Sequence, residues 1–293
     1  MVSELSLQNF LDLMALKPVA VVGQSCYLGA FTGLAQEVPS DRVFGGLLVA
    51  QAIVAAGHTT PESHRPLSIH ADFLGAVAPG GELRWEVEAF GKDKSISTRR
   101  STLRGADGAI LFSAISRWGK VRVDIGSFDA VEPYSCQPPE QLRDLEERFV
   151  DQLEIPLWWR MRRPVLFRHA QTPAYTTPVL PAKNFQTVWV RGRNRVPADP
   201  IIQAALLAYI TDMSILEPAF QAVESVRHAA SSRVLSLSHS LVFHTGTDLS
   251  DWHQFDSECR TVAHGRAVAV GEIFDRDGKH IGSAKQLGLI KFN

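Results

Sequence analysis

Two stretches of the chain are apolar at nearly every position over the length of a short helix. Each is followed by segments in which apolar and polar residues alternate. The first stretch, Phe44–Gly57, opens on Gly45-Gly46 and is interrupted only by Gln51. A helix that is apolar on all faces is a buried helix. Strands are predicted next over Leu67–Leu74, Glu82–Phe90, Ser95–Leu103 and Ala109–Trp118. In Glu82–Phe90, for example, Leu83, Trp85, Val87 and Ala89 alternate with charged residues. Gly80-Gly81 and Asp107-Gly108 supply turns between them.

The second half repeats the order. Asp199-Pro200 reads as an N-cap followed by proline at the first helical position, and the predicted helix runs over Ile201–Met213. Strands are predicted over Val234–Phe243, Trp252–Cys259, Ala263–Phe274 and His280–Ile290, with a hairpin turn at Asp277-Gly278. His70 precedes the glycine of the first Asp-Gly turn by 38 residues, and His239 precedes that of the second by 39. One buried helix and one antiparallel meander, twice, at matched spacing, imply a duplication. A sheet with one apolar face needs a cover, and an apolar helix needs wrapping.

The expected fold is therefore α+β: a double hotdog, two antiparallel sheets each wrapped around a central apolar helix and joined edge to edge. The expected division is an N-terminal hotdog over 1–118, an ordered inter-domain connection over 119–185 and a C-terminal hotdog over 186–293, whose first strand is Gln186–Val190. The connection is rich in proline, which argues against long regular elements except around Glu140–Gln152. Leu157-Trp158-Trp159 and Val165-Leu166-Phe167 make it too apolar for a free linker.

Composition narrows the chemistry. The 293 residues carry a formal net charge of −1, so no global basicity recruits nucleic acid. Cys26, Cys136 and Cys259 are far apart and odd in number, which argues against a disulfide framework and suits a reducing compartment. The ten histidines form no metal-binding motif, so no metal is expected. The N-terminus lacks a secretory pattern, and the longest apolar stretch, Leu47–Gly57, is too short to span a bilayer. A cytoplasmic protein is expected.

Short matches now line up in one order along the chain: Val43-Phe44-Gly45-Gly46 with Gln51-Ala52, Ser68-Ile69-His70 with Phe73-Leu74, Val188-Trp189-Val190-Arg191, Val196-Pro197, Tyr209 with Asp212, His239-Ser240 with Phe243-His244, and Gln286 with Gly288. On these residues the chain resembles the acyl-CoA thioesterase II family of double-hotdog enzymes, from about residue 40 to the end. The resemblance implies hydrolysis of acyl-CoA to a free carboxylic acid and coenzyme A, within lipid and fatty acid metabolism, by a protein that forms homo-oligomers. It implies no cofactor beyond the coenzyme A of the substrate. It also implies an attacking water held by an aspartate, a hydroxyl residue and a glutamine, which fall on Asp212, Ser236 and Gln286. The chain departs from the family pattern at Ser238, at Gly75 and in the loop Gly91-Lys92-Asp93-Lys94.

Asp212 stands out without the resemblance. It is the only acid in Ile201–Ile215, at the C-terminal end of a core helix. Burial and the negative end of the helix dipole both raise a carboxyl pKa, toward what a general base needs. Ser236 alternates with leucines on a strand, as a surface serine does, and no nucleophile elbow surrounds it. Gln286 sits on the last strand, and its amide can both donate and accept. Gly45 and Gly46 open the first buried helix. Their backbone amides are candidates to stabilise the oxyanion of a thioester, facing Asp212 across the two halves. Two other readings stay open: a non-catalytic acyl-CoA-binding protein, and a hotdog enoyl-CoA hydratase, whose GDxNPxH motif the chain lacks.

Overall fold

The computed structural model describes residues 6–20, 27–35, 40–90, 95–122, 128–153, 155–228 and 232–292. Cys26 and the Gly91–Lys94 loop lie outside them. Six α-helices are described: α1 (Leu7–Met14), α2 (Gly45–Gly57), α3 (Leu145–Phe149), α4 (Leu157–Arg160), α5 (Pro200–Ser214) and α6 (Pro218–Ala222). The strands are β1 (Lys17–Val19), β2 (Tyr27–Leu34), β3 (Arg65–Phe73), β4 (Glu82–Ala89), β5 (Ile96–Arg104), β6 (Ile110–Gly119), β7 (Val165–His169), β8 (Phe185–Gly192), β9 (Arg233–Phe243), β10 (His253–Ala263), β11 (Arg266–Asp275) and β12 (His280–Lys291).

All twelve strands form one antiparallel sheet, in the order β1-β2-β4-β5-β6-β3-β9-β12-β11-β10-β8-β7. The two sheets expected from the sequence are thus continuous, joined where β3 runs antiparallel to β9. At that seam Ala71 stands opposite His239, and His70 Nδ1 lies 2.7 Å from Ser240 Oγ.

Both apolar helices lie in the core, α2 over Gly45–Gly57 and α5 over Pro200–Ser214. They run antiparallel and touch at both ends. Gly46 of α2 lies against the Tyr209 carbonyl, where a Cβ would sit 2.9 Å from the oxygen, and Gly57 packs on Ile201. Leu47, Leu48, Val49, Ile53 and Val54 are all buried, which together contributes on the order of 10 kcal/mol before conformational entropy is subtracted. Gln51, the one polar residue in α2, is fully satisfied. Its amide donates to the carbonyls of Leu13 (2.9 Å) and Leu34 (3.0 Å), and its oxygen accepts from Trp85 Nε1 (3.0 Å). It ties the first segments of the chain to the core. The stretch Pro200–Ala222 has the length and apolar character of a membrane-crossing segment, but 83% of it is buried within the fold, as in a core helix.

Six elements were not foreseen: α1, β1, β2, α4, β7 and α6. In β2, Gly29 and Gly33 break the alternation that marks a strand. Gly33 is closely packed, since a Cβ there would sit 2.5 Å from Leu16 Cδ2. β7 comes from the apolar Val165-Leu166-Phe167 of the expected connection and forms the sheet edge beside β8. The regular element expected around Glu140–Gln152 is a single turn, Pro139–Gln141, followed by the five-residue α3 with an Asp144–Glu147 capping box. β10 runs beyond Cys259 to Ala263, because His264 and Gly265, both at positive φ, make the hairpin turn.

Candidate active site

The sequence alternation of β9 would set Ser236 and His239 on opposite faces of the sheet. A β-bulge brings them together. β9 and β12 stay in register from Phe243 opposite Gly282 to Ser238 opposite Leu287. Pairing resumes with Ser236 opposite Gly288, leaving Leu237 as an extra residue. Residues directly paired across strands share a face, as do residues two apart on one strand. His239 is paired with Gln286, and Gln286 and Gly288 are two apart, so Ser236, His239 and Gln286 all face the helices. Gly288 leaves room for this. A Cβ there would lie 2.5 Å from Leu216 Cδ1 and 3.1 Å from the Leu235 carbonyl oxygen.

Asp212, in the last turn of α5, meets this face. Ser236 Oγ donates to Asp212 Oδ1 at 3.0 Å, and Gln286 Nε2 donates to Ser236 Oγ at 2.8 Å. His239 Nδ1 lies 2.5 Å from Gln286 Oε1, and its Nε2 lies 3.0 Å from Thr211 Oγ1. The directions are mutually consistent. Burial lowers the His239 pKa from its ordinary value, and the neighbouring Asp212 carboxylate pulls it back up. Gln286 Oε1 can only accept, so a proton sits on Nδ1, while Thr211 Oγ1, beside Nε2, also donates to the Ala208 carbonyl at 3.2 Å. The result is one line of donors from His239 through Gln286 and Ser236 to the carboxylate. The sequence did not assign Thr211 or His239 to the site. The His239 signal was present, a histidine at matched spacing in both halves, but its role depends on the bulge.

Burial raises the Asp212 pKa above its ordinary value. Neighbouring His239, the hydrogen bonds from Ser236 and Gln286, and the Gly46 backbone N–H each pull it back. Phe44, the N-cap of α2, offers no side-chain cap, and the Asp212 carboxylate supplies what is missing. The acid therefore stands at the negative end of its own helix and the positive end of α2. The sequence reading had counted only the first of these fields.

Asp212, Ser236 and Gln286 line a cavity of about 600 Å³, together with Gly45 and Phe73. That volume suits a small-molecule site. Gly45 is packed tightly, since a Cβ there would sit 2.9 Å from Asp212 Oδ2 and 2.8 Å from Phe73 Cε1. The two glycines thus face the acid as expected, with different parts: Gly46 donates its N–H to Asp212, and Gly45 borders the cavity. A larger cavity of about 1100 Å³ lies near the N-terminal end of α5, against Gln203, Phe243 and His280, and contains none of the three residues. It occupies the place related to the first by exchange of the two halves. Thirteen residues after its N-cap, α5 has Asp212, whereas α2 at that distance has Gly57. The larger space therefore lacks the acid, and the smaller one is the candidate active site.

The fold is that of hotdog proteins. A protein of unknown function with a hot dog fold from Alicyclobacillus acidocaldarius superposes with a TM-score of 0.74 at 20% identity, covering 97% of this chain and 98% of that one. The tesB protein of Mycobacterium avium subs paratuberculosis superposes with a TM-score of 0.77 at 27% identity, covering 98% and 99%. In sequence, residues 34–118 match the acyl-CoA thioesterase N-terminal domain family, and residues 133–290 match the acyl-CoA thioesterase C-terminal domain family. Acyl-CoA thioesterase 2 of Haemophilus influenzae is 30% identical over 281 residues, which cover 90% of this chain and 92% of that protein. The chain belongs to the acyl-CoA thioesterase II family.

Proposed function

We propose that this enzyme hydrolyses acyl-CoA thioesters to a free carboxylic acid and coenzyme A through a water molecule held by Asp212, Ser236 and Gln286. The observation that carries this reading is the convergence of the three side chains, from three separate elements, on one cavity wall at hydrogen-bonding distance. Asp212 takes a proton from the water, and the resulting hydroxide attacks the thioester carbonyl. Ser236 and Gln286 hold the water against the acid. The Gly46 N–H is committed to Asp212, so the first amide of α2, at Gly45, is the helix-end donor left for the developing oxyanion. The coenzyme A thiolate leaves readily because a thiol is far more acidic than an alcohol. The chemistry asks for no metal or redox cofactor.

The reading carries a division of the chain into two hotdog units, 1–118 and 186–293, flanking the connection 119–185. The C-terminal family match begins at residue 133, and β7 joins the sheet beside β8. Both favour grouping most of the connection with the second unit. Work on the cytoplasmic acyl-CoA pool, within fatty acid metabolism and as a homo-oligomer, completes the proposal. Size-exclusion chromatography at a monomer mass of 32.3 kDa tests the last part.

The mechanism is tested by thiol release from acyl-CoAs of several chain lengths. Ser236→Ala and Gln286→Ala are each expected to lower kcat by at least about tenfold, and rapid mixing is expected to give no burst of thiol. An acyl adduct on Ser236 in the mass spectrum would replace the water mechanism with a covalent one.

A further inference from the structure

Both halves of the chain carry the same β-bulge. Pairing of β3 with β6 passes from Ser68 opposite Arg117 to Pro66 opposite Trp118 and skips Leu67, as pairing of β9 with β12 skips Leu237. Exchange of the halves therefore matches Leu67 with Leu237 and Pro66 with Ser236. Two residues beyond the bulge stand Ile69 in the first half and His239 in the second. Ile69 is paired with Ser116, just as His239 is paired with Gln286. His70, which matches His239 in sequence spacing, lies on the other face of the sheet, against Ser240.

Ile69 and His239 are both fully enclosed. An isoleucine fills this place in the first half, so the sheet itself does not call for an imidazole there. A buried imidazole is also costly unless its nitrogens find partners. The histidine stands in the half whose helix carries Asp212, and the isoleucine in the half whose helix carries Gly57. The reason for the histidine is thus to be sought among the groups that only the second half has.

The contact it makes there is to one end of an amide. The two ends of a glutamine amide have nearly the same shape, so turning the group over changes its packing little and its chemistry completely. Gln286 Nε2 donates to Ser236 Oγ at 2.8 Å and hydrogen-bonds the Asp212 carboxylate. Ser236 spends its own proton on Asp212 Oδ1. Turned over, the amide would set its carbonyl oxygen against that carboxylate and a hydroxyl with no proton to give. His239 Nδ1 lies 2.5 Å from Gln286 Oε1 and donates to it, and the reversed amide would set its N–H groups against that proton.

We infer that His239 is a positioning residue for the hydrolysis: by donating to the Gln286 carbonyl oxygen, it keeps the amide nitrogen turned toward Ser236, Asp212 and the attacking water. Gln286 lines the cavity and His239 does not, so the histidine acts through the glutamine and touches no substrate. The inference rests on the proposed hydrolytic reading, in which Gln286 holds the water.

The test follows thiol release from acyl-CoA by His239→Ile, which copies the first half, and by His239→Asn. Asparagine carries its amide nitrogen on Cγ, where the imidazole carries Nδ1, so it can still donate to Gln286. His239→Ile is expected to lower kcat by about tenfold or more and to leave KM within about twofold, while His239→Asn recovers a large part of the rate. Added to Gln286→Ala, His239→Ile is expected to cost less than about twofold more. His239→Ala, a second variant without a donor, should behave as His239→Ile does and takes its place if the isoleucine prevents folding. Wild-type kcat in the donor-free variants overturns the inference. So does a His239→Asn enzyme no faster than His239→Ile, because the histidine would then act by bulk or charge. A full further loss on top of Gln286→Ala overturns it as well, since the histidine would then act on another group. Gln286→Ala at the wild-type rate would remove the hydrolytic reading itself, and this inference with it. A slow Gln286→Ala beside a fast His239→Ile would remove the inference alone.

Discussion

At the scale of the residue, the proposed mechanism rests on a single carboxyl group, Asp212. It was legible in the sequence because an acid in an otherwise apolar helix needs a reason. Ser236 and Gln286 were not legible from pattern: each reads as a surface polar residue on a strand, and only the family resemblance picked them out. Thr211 and His239 were missed because orienting an amide requires a partner distant in the sequence. Burial lifts the Asp212 pKa above its ordinary value of 3.8. The base works only when ionised, so the rate should fall as pH drops through that raised pKa. The acid limb of the kcat/KM profile is expected above the range of an ordinary carboxylate. A limb near 6.5 that vanishes in His239→Gln would assign the base to the wrong residue.

The same shift has a consequence for stability. A carboxyl with a folded-state pKa above its unfolded value holds its proton in the folded chain after the unfolded chain has lost it. Stability therefore decreases as pH rises through that window, and above it the ionised Asp212 is a net cost. Asp212→Asn is expected to melt at pH 7 no lower than the wild type. A melting temperature several degrees lower would mean that the carboxylate holds the helices together.

At the scale of the element, two local devices build the site, and both use glycine. The bulge at Leu237 turns Ser236 onto the face of Gln286, opposite the bare backbone of Gly288. A bulge leaves no mark in a pattern of alternating leucines and serines, which is why alternation assigned Ser236 to solvent. The second device is the bare N-terminus of α2, which has no side-chain cap and closes on Asp212 through the Gly46 N–H. A methyl group on Gly46 would meet Phe44 Cε1 at 2.5 Å and the Tyr209 carbonyl oxygen at 2.9 Å. Phe44 can swing away, but backbone oxygen cannot. Gly46→Ala is expected to destabilise the protein by about 1–3 kcal/mol. It should also move the acid limb of the rate profile upward, because the displaced amide no longer supports the ionised acid. Chemical denaturation and the pH profile of the variant check both. An unchanged limb would remove Gly46 from the account of Asp212.

At the scale of the whole molecule, the duplication was readable because the order and spacing of the elements repeat although the residues do not. The two apolar helices, the meanders and their Asp-Gly turns fall where the pattern set them. The first two strands were hidden by glycines, and β7 by the prolines around it. The continuity of the sheet through β3 and β9 follows from edge pairing and was expected on that ground. Exchange of the halves also explains why the larger cavity is not the site: the duplicated helix carries Gly57 where α5 carries Asp212. Among the described residues, the three proposed catalytic groups converge in the smaller cavity.

The central claim, that Asp212 activates the water, is tested most directly by the turnover of an acyl-CoA by Asp212→Asn beside the wild type, followed by release of free thiol. The asparagine keeps the shape and can still accept from Ser236, but it cannot take the proton. The variant is expected to lose about 10²–10⁴-fold in kcat while melting as the wild type does. Retention of more than roughly a tenth of kcat in a folded Asp212→Asn protein would contradict the assignment.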